Sequence, residues 1–230
     1  MPDNHHFRLG LTNFETVFDV AAGAKPARLT YALVAITILA YFAGLFLTSG
    51  GFTTEQMGFI PLRFSVDAQG FVLPAWLTPL TATLAHGDWV HIGFNMLMLV
   101  YCGRSVETVL GSGPLAFLYL VGAYMAAAAQ YVVGPLSPVP MIGASGAISA
   151  VIAVYALLFG RNDVKRWGPI PAHWARAIWL AIAWTGLQWL VGLASSRGEG
   201  YQVATAAHVG GFLAGLALAR PLLAWRYRGA

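Results

Sequence analysis

Ser145 is the residue of this sequence whose surroundings most strongly suggest chemistry. It lies between Gly143 and Gly146, at the start of an apolar run that reaches Phe159. In a later apolar run, His208 stands beside a pair of glycines. An ionisable side chain inside a membrane span is costly, about 2.5–3.5 kcal/mol for a full charge, and therefore marks a candidate functional site. A serine and a histidine together are the minimum set for nucleophilic acyl transfer.

The composition identifies the solvent in which these residues must work. Hydrophobic residues make up 58% of the chain and charged residues 10%, whereas a soluble domain carries about 25% charged residues. So few charges cannot cover a water-facing surface, which predicts an integral membrane protein in contact with the lipid bilayer. The net charge of +4 would suggest a nucleic-acid partner in a soluble protein. Here the basic residues flank apolar runs and report topology, so no nucleic-acid partner is expected.

Six apolar segments predict an all-α fold, a bundle of six transmembrane helices. The segments are 29–47, 89–102 (extendable to 110), 115–133, 145–159, 177–194 and 201–219. The predicted organisation is a short cytoplasmic tail over 1–28, one membrane domain over 29–219, and a basic cytoplasmic tail over 220–230. The single cysteine, Cys102, excludes an intrachain disulfide and is interpreted as a small apolar filler.

The distribution of lysine and arginine predicts the orientation. With the N-terminus placed in the cytoplasm, all 13 of these residues except Arg63 and Arg197 fall on the inner side. An excess of positive charge in the inner loops is the rule for membrane proteins. Both termini are therefore predicted to lie in the cytoplasm.

The segment that begins at Ser145 is too short to cross the membrane. A helix over 145–159 rises only about 22 Å, and the hydrocarbon core is about 30 Å thick. Ser145 should therefore lie below the outer surface, at a buried helix N-terminus. The three prolines of 134–142 prevent regular helix before it. Because non-helical backbone at that depth needs protein or a water-filled cavity around it, a cavity is predicted at Ser145.

The depths of the two residues allow contact. His208 lies about 18 Å above Arg220, and Ser145 lies about 24 Å above Arg161, a difference of about one helical turn. Tilt and side-chain length can absorb this difference.

Four glycines are predicted to bring the two helices together. Gly211 and Gly215 give the sixth helix a smooth face for close approach to a neighbour. Gly143 and Gly146 let backbone pass tightly around the serine. Gly210 lies about 100° from Gly211 around the helix, so a larger side chain should be less damaging there.

The second segment supplies a further polar set, His86, His91 and Asn95. His91 and Asn95 are spaced i, i+4 and share one helix face. With the backbone N–H of Ser145, they could stabilise a developing oxyanion. His86 is expected to be a structural neighbour. Because His86 and His91 are five residues apart, poor geometry for a common metal ion, neither a metal nor another cofactor is predicted.

Purely structural interpretations exist for each of these residues. Serine in a membrane helix commonly bonds back to its own helix. His208 could make a structural hydrogen bond, and the His91/Asn95 pair could join helices. The convergence of these features at one depth, on the second, fourth and sixth segments, favours a functional site.

These residues resemble the rhomboid intramembrane serine proteases in their six-span bacterial form, over roughly residues 29–219. The shared motifs are Gly143-Ala144-Ser145-Gly146, Ala207-His208-x-x-Gly211-x-x-x-Gly215, His91-x-x-x-Asn95 with His86 before it, and Glu107-x-x-Leu110-Gly111-Ser112. The resemblance implies a Ser–His dyad, with Ser145 as nucleophile and His208 as general base. It also implies an oxyanion hole formed by His91, Asn95 and the Ser145 N–H. A bacterial inner-membrane location is implied as well.

The implied substrates are single-span or other membrane-anchored proteins, cut in or near the membrane after small residues. Two positions depart from the family pattern. Ser149 stands where a tyrosine often packs on the catalytic histidine, and Leu77 follows Trp76 where an arginine is common.

Two other classes of function compete with the protease. A catalytically inactive rhomboid-like scaffold would bind membrane clients, but the presence of both Ser145 and His208 favours catalysis. A small-solute transporter would have polar groups at mid-depth, but it tends to show broken helices in two related halves. Only one such interruption, over 134–142, is visible here.

Overall fold

The computed structural model describes residues 26–46, 54–65, 70, 73–159, 165–195 and 204–228. Within these residues the fold is all-helical, with two isolated β-bridges and no strand. The helices are α1 (Arg28–Phe46), α2 (Thr54–Met57), α3 (Thr78–Thr81), α4 (Trp89–Met98), α5 (Arg104–Leu110), α6 (Ser112–Val133), α7 (Ser145–Phe159), α8 (Ala172–Ser195) and α9 (Thr205–Arg226). Short 3₁₀ helices cover Pro61–Phe64 and Ala75–Leu77, and a π-helical turn, Leu99–Gly103, joins α4 to α5. The predicted tail over 1–28 lies outside the described residues apart from its last three positions.

Each of the six predicted segments overlaps a helix, but the second is divided among α4, the π-helical turn and α5. The fourth begins and ends as predicted, at Ser145 and Phe159. The last helix continues beyond the predicted end at 219, through Pro221 to Arg226. The charge of Arg220 suggested an end, but Ala219 and Leu222 on either side are both buried, and this packing keeps the chain helical.

Three of the described helices are long and apolar enough to cross a membrane, namely α1, α6 and α9. Large apolar side chains are exposed on the outside of the bundle, among them Leu39 on α1 and Ile182 on α8. Lipid, rather than water, is the solvent that such surfaces require. The protein is therefore an integral membrane protein.

Helix α7 forms the centre of the molecule. Most of its residues from Gly146 to Val154 are buried, because α6 and α9 pack against it from both sides. Small residues make this possible. A β carbon added at Gly122 of α6 would lie 2.8 Å from the Ala150 β carbon, and one at Gly215 of α9 would overlap the Ala150 carbonyl. The helix that carries His208 therefore lies close against the helix that carries Ser145.

Gly210 is also closely packed, contrary to prediction. A β carbon there would lie 2.6 Å from the Met125 carbonyl oxygen and 2.5 Å from the Ala129 β carbon, both on α6. Helix α9 therefore has two close neighbours, α7 beside Gly211 and α6 beside Gly210. One glycine face was predicted, but a helix wedged between two partners needs small residues on both sides.

The segment before α7 is tied to residues that lie between α2 and α4. An antiparallel bridge pairs Phe59 with Met141 through two backbone hydrogen bonds of 2.9 and 2.8 Å. The Leu62 N–H donates to the Ser137 carbonyl at 3.1 Å, and the Gly143 N–H donates to the Ala82 carbonyl at 2.8 Å. As predicted, this proline-rich segment is not helical. Hydrogen bonds with Phe59, Leu62 and Ala82 satisfy part of its polar backbone and fix the entry into α7.

Glu107 connects three helices at the opposite end of the bundle. This buried carboxylate on α5 accepts the N–H groups of Leu29 and Thr30, at 2.9 and 2.8 Å, in the first turn of α1. It also accepts the hydroxyls of Thr30 at 2.7 Å and of Ser112, the first residue of α6, at 2.6 Å. The carboxylate thus caps the positive end of α1 and anchors the start of α6.

Candidate active site

Ser145 is the first residue of α7, and the backbone before it makes a sharp turn. Gly143 has a φ of +105°, a conformation that side-chain-bearing residues rarely adopt. A β carbon there would also lie 2.6 Å from the His91 Nε2 atom. Glycine is therefore required at this position for both reasons. The turn brings Ser145 to the helix N-terminus, where the first N–H groups have no acceptor within the helix.

His208 lies directly against Ser145. Its Nε2 atom is 2.7 Å from the Ser145 Oγ atom, a normal hydrogen-bond distance. His208 is in the first turn of α9, and the close packing of α9 on α7 holds the two side chains together. The structure therefore brings together the two residues that the sequence singled out first.

His91 and Asn95 lie near Ser145, at the wall of the same cavity. Asn95 is buried, and its Nδ2 group donates one hydrogen bond to the His91 carbonyl at 2.8 Å, which leaves its second N–H for another acceptor. The His91 ring lies beside Gly143, and both His91 and Asn95 line the same cavity as Ser145 and His208. The structure thus places all four predicted residues around one space.

His86 supports the turn before Ser145. Its Nε2 atom faces the Ala144 N–H at 3.4 Å, and its Nδ1 atom faces the Leu84 carbonyl at 3.4 Å. This pairing assigns the proton to Nδ1 and leaves Nε2 as the acceptor. The His86 ring also packs edge-on against His91, with centroids 4.9 Å apart. In the described part of the chain, no three His, Cys, Asp or Glu side chains are grouped as a metal site would require.

Ser145 lines a cavity of about 810 Å³, in the size range of small-molecule sites. Its lining includes Asp88, Val139 and Pro140, and it also includes Met98 and Ile152. The predicted cavity is present.

Ser149 and Trp184 lie near His208. The buried Ser149 hydroxyl donates to the Ser145 carbonyl at 2.8 Å, within α7. From α8, the Trp184 Nε1–H group donates to the His208 carbonyl at 3.3 Å. The Trp184 ring also stacks on Phe212, one turn after His208, with centroids 5.0 Å apart and planes 11° apart. The first turn of α9 is therefore supported from α8.

Sequence reasoning missed two residues of this site. Trp184 is one; a tryptophan inside a span carries an N–H that needs an acceptor, and that was an available signal. The second is Asp88, whose carboxylate accepts the His91 N–H at 2.8 Å and caps α4. An aspartate just before an apolar helical run is a typical N-cap, and it fixes the position of His91.

Comparison with known proteins identifies the family. The Rhomboid domain model matches residues 74–225, which include Ser145, His208, His91 and Asn95. The chain belongs to the rhomboid family.

Named relatives share parts of their length with this chain. The Rhomboid protease GluP of Bacillus subtilis is 33% identical over 150 residues, 64% of this chain and 28% of that protein. The Rhomboid protease GlpG of Pectobacterium atrosepticum is 26% identical over 197 residues, 85% of this chain and 63% of that protein. Rhomboid-like protein 11 of Arabidopsis thaliana is 34% identical over 85 residues, 37% of this chain and 30% of that protein. The chain therefore spans less than two thirds of the length of each of these relatives.

Proposed function

We propose that this protein is an intramembrane serine endopeptidase that uses Ser145 and His208 as a catalytic dyad. The observation that carries the proposal is the 2.7 Å contact between His208 Nε2 and Ser145 Oγ at the wall of a cavity. Membership of the rhomboid family, with relatives named proteases, supports the same reaction. The site requires no cofactor for this chemistry.

In the first half of the reaction, the Ser145 Oγ atom attacks the carbonyl carbon of the scissile peptide bond. His208 Nε2 accepts the hydroxyl proton as the carbon–oxygen bond forms. When the tetrahedral intermediate collapses, the carbon–nitrogen bond breaks, and His208 returns the proton to the leaving amine. In the second half, a water molecule attacks the acyl-enzyme, His208 accepts its proton, and Ser145 is released with the proton restored.

The negative charge that develops on the carbonyl oxygen needs hydrogen-bond donors. We assign this role to the Ser145 N–H at the start of α7, His91 and the free N–H of the Asn95 amide. Preorganised donors in a site that excludes bulk water stabilise the transition state more than water can. Asp88 and His86 hold His91 and the Ala144 peptide in position and contact no reacting atom.

The substrates are expected to be single-span or other membrane-anchored proteins. The proposed topology has six spans, with the start of α1 and the end of α9 on the cytoplasmic side of a bacterial inner membrane. Clustering of arginine and lysine near those helix ends supports this orientation. Ser145 and His208 then lie in the outer half of the membrane.

A fluorophosphonate probe tests the dyad independently of any substrate. Purified protein in detergent is incubated with the probe, and the modified peptide is located by mass spectrometry. Modification of Ser145 in the wild type, lost in His208→Ala, is the expected result. Modification of another serine, or equal labelling of His208→Ala, would contradict the proposed dyad.

A further inference from the structure

The end of α9 lies against the corner where α5 meets α6. Helix α9 has 22 residues and is about 33 Å long, so its last residue, Arg226, lies at the edge of a hydrocarbon core of about 30 Å. The Arg226 side chain crosses Gly111, the residue between α5 and α6, because a β carbon added there would lie 3.3 Å from the Arg226 Nε atom. The next residue, Tyr227, donates its hydroxyl to the Val109 carbonyl at 2.8 Å. These contacts hold Arg226 at the corner.

The charge of Arg226 is not neutralised by the surrounding helices. In the described part of the chain this exposed side chain has no hydrogen bond or ion pair, and its guanidinium carbon lies 5.8 Å from the centroid of the Tyr227 ring. Among the described residues, Glu107 is the only acidic side chain on α5, α6 or α9. Its carboxylate is buried and already accepts four hydrogen bonds. Arg226 therefore keeps its donors for an external anion, and a guanidinium fits a phosphate through two parallel N–H groups.

An exposed apolar surface lies on the membrane side of Arg226. Phe117 on α6 and Trp225 on α9 pack edge to face, with centroids 6.3 Å apart, and remain 44% and 43% exposed. Phe117 follows Gly111 by six residues, about 9 Å further along α6 toward the membrane centre. Gly113 shares the face of Phe117 at i, i+4. It is exposed, and a β carbon there would meet nothing within 4 Å, so this face is open between the arginine and the aromatic pair.

We infer that this surface, formed by Arg226, Gly113, Phe117 and Trp225, binds an anionic phospholipid. The lipid phosphate contacts Arg226, and the first part of an acyl chain packs on Phe117 and Trp225. The order of the groups matches that of a phospholipid, since the positive charge lies at the membrane edge and the apolar rings lie deeper. A soluble phosphate would use Arg226 alone and leave both rings uncovered. The inference goes beyond the proposed function and does not depend on it.

Equilibrium binding to the whole chain in a neutral detergent tests the inference. Native mass spectrometry measures the Kd for phosphatidylglycerol, for phosphatidylcholine, whose headgroup is zwitterionic, and for inorganic phosphate. The proteins are the wild type, Arg226→Gln, Phe117→Ala and Arg220→Gln. Arg220 is the matched control, an exposed arginine on α9 that lies about 120° from Arg226 around the helix. Both arginine variants lose one positive charge, so a general attraction to negative lipid would fall equally in the two.

The expected result is tight binding of phosphatidylglycerol by the wild type, with weaker binding of phosphatidylcholine and of inorganic phosphate. Arg226→Gln should raise the Kd for phosphatidylglycerol about fivefold or more, whereas Arg220→Gln should change it by less than about twofold. Phe117→Ala should also raise this Kd, because it removes the ring on which the acyl chain packs. Circular dichroism verifies that each variant is folded, and if Arg226→Gln is not, Phe117→Ala decides the result.

Four outcomes would overturn the inference. Equal weakening by Arg226→Gln and Arg220→Gln would reduce the effect to general electrostatic attraction. Equal affinity for phosphatidylcholine would show that the negative headgroup is not recognised. Inorganic phosphate bound as tightly as the lipid, or an unchanged Kd in Phe117→Ala, would show that the acyl chain makes no contact with the aromatic pair.

Discussion

Gly211 on α9 rests directly on the carbonyl of Gly146 on α7. A β carbon added to Gly211 would overlap the Gly146 carbonyl oxygen, so only a Cα–H group fits in the contact. Gly146 is itself closed in by α6, because its β carbon would lie 2.5 Å from that of Ala126. This contact lies one residue after Ser145 and three residues after His208. The distance between the two helices here therefore sets the distance between the two side chains.

Gly211→Ala should sharply reduce proteolysis, because the new methyl group must push α9 away from α7. A displacement of about 1 Å between reacting groups can cost roughly 100-fold in rate. Gly210→Ala should also reduce activity, by pushing α9 away from α6. Gly93→Ala on α4 is the matched control, since its β carbon would meet nothing within 4 Å. The measurement is the initial cleavage rate of each variant and of the wild type at equal protein concentration. Wild-type activity in Gly211→Ala would show that the helix separation is not critical.

Asn95→Ala should lower kcat and leave KM nearly unchanged, because an oxyanion donor acts in the transition state. One such donor is worth about 10²–10³ in turnover in a soluble protease. With His91 and the Ser145 N–H remaining, the low end of this range or less is expected. Steady-state kcat and KM are measured for Asn95→Ala and for Thr108→Ala. Thr108 is the control because its hydroxyl bonds only within α5. An increase in KM at constant kcat would instead assign Asn95 to substrate binding.

Glu107→Ala should destabilise the fold rather than alter the chemistry. It removes a buried acceptor of four hydrogen bonds and leaves the Leu29 and Thr30 N–H groups without it. We expect the free energy of unfolding to fall by about 2 kcal/mol or more. Glu55→Ala, at an exposed glutamate on α2, should stay within about 0.5 kcal/mol. Denaturant unfolding in detergent provides the measurement, and an equal effect of the two substitutions would contradict the structural role of Glu107.

The sequence was sufficient for the features that depend on depth and spacing. The start of α7 at Ser145 and the presence of a cavity followed from helix rise and membrane thickness, and the depths of Ser145 and His208 allowed a contact between them. The sequence was insufficient where the contacts of a residue are made with neighbours that lie far away along the chain. Gly210 needed knowledge that α6 packs beside α9, and Trp184 needed knowledge that α8 reaches the first turn of α9. Three of the four hydrogen bonds that Glu107 accepts likewise come from residues 77 or 78 positions away in the chain.

Cleavage by Ser145→Ala is the most direct test of whether Ser145 is the nucleophile. Wild type, Ser145→Ala and Ser149→Ala are purified, and each is incubated with the same single-span substrate in liposomes. Ser149 is the matched control, a serine one turn away whose hydroxyl bonds only to the Ser145 carbonyl. We predict that Ser145→Ala folds normally but gives no product, whereas Ser149→Ala retains cleavage. Product formation by Ser145→Ala at a rate near that of the wild type would show that Ser145 is not the nucleophile.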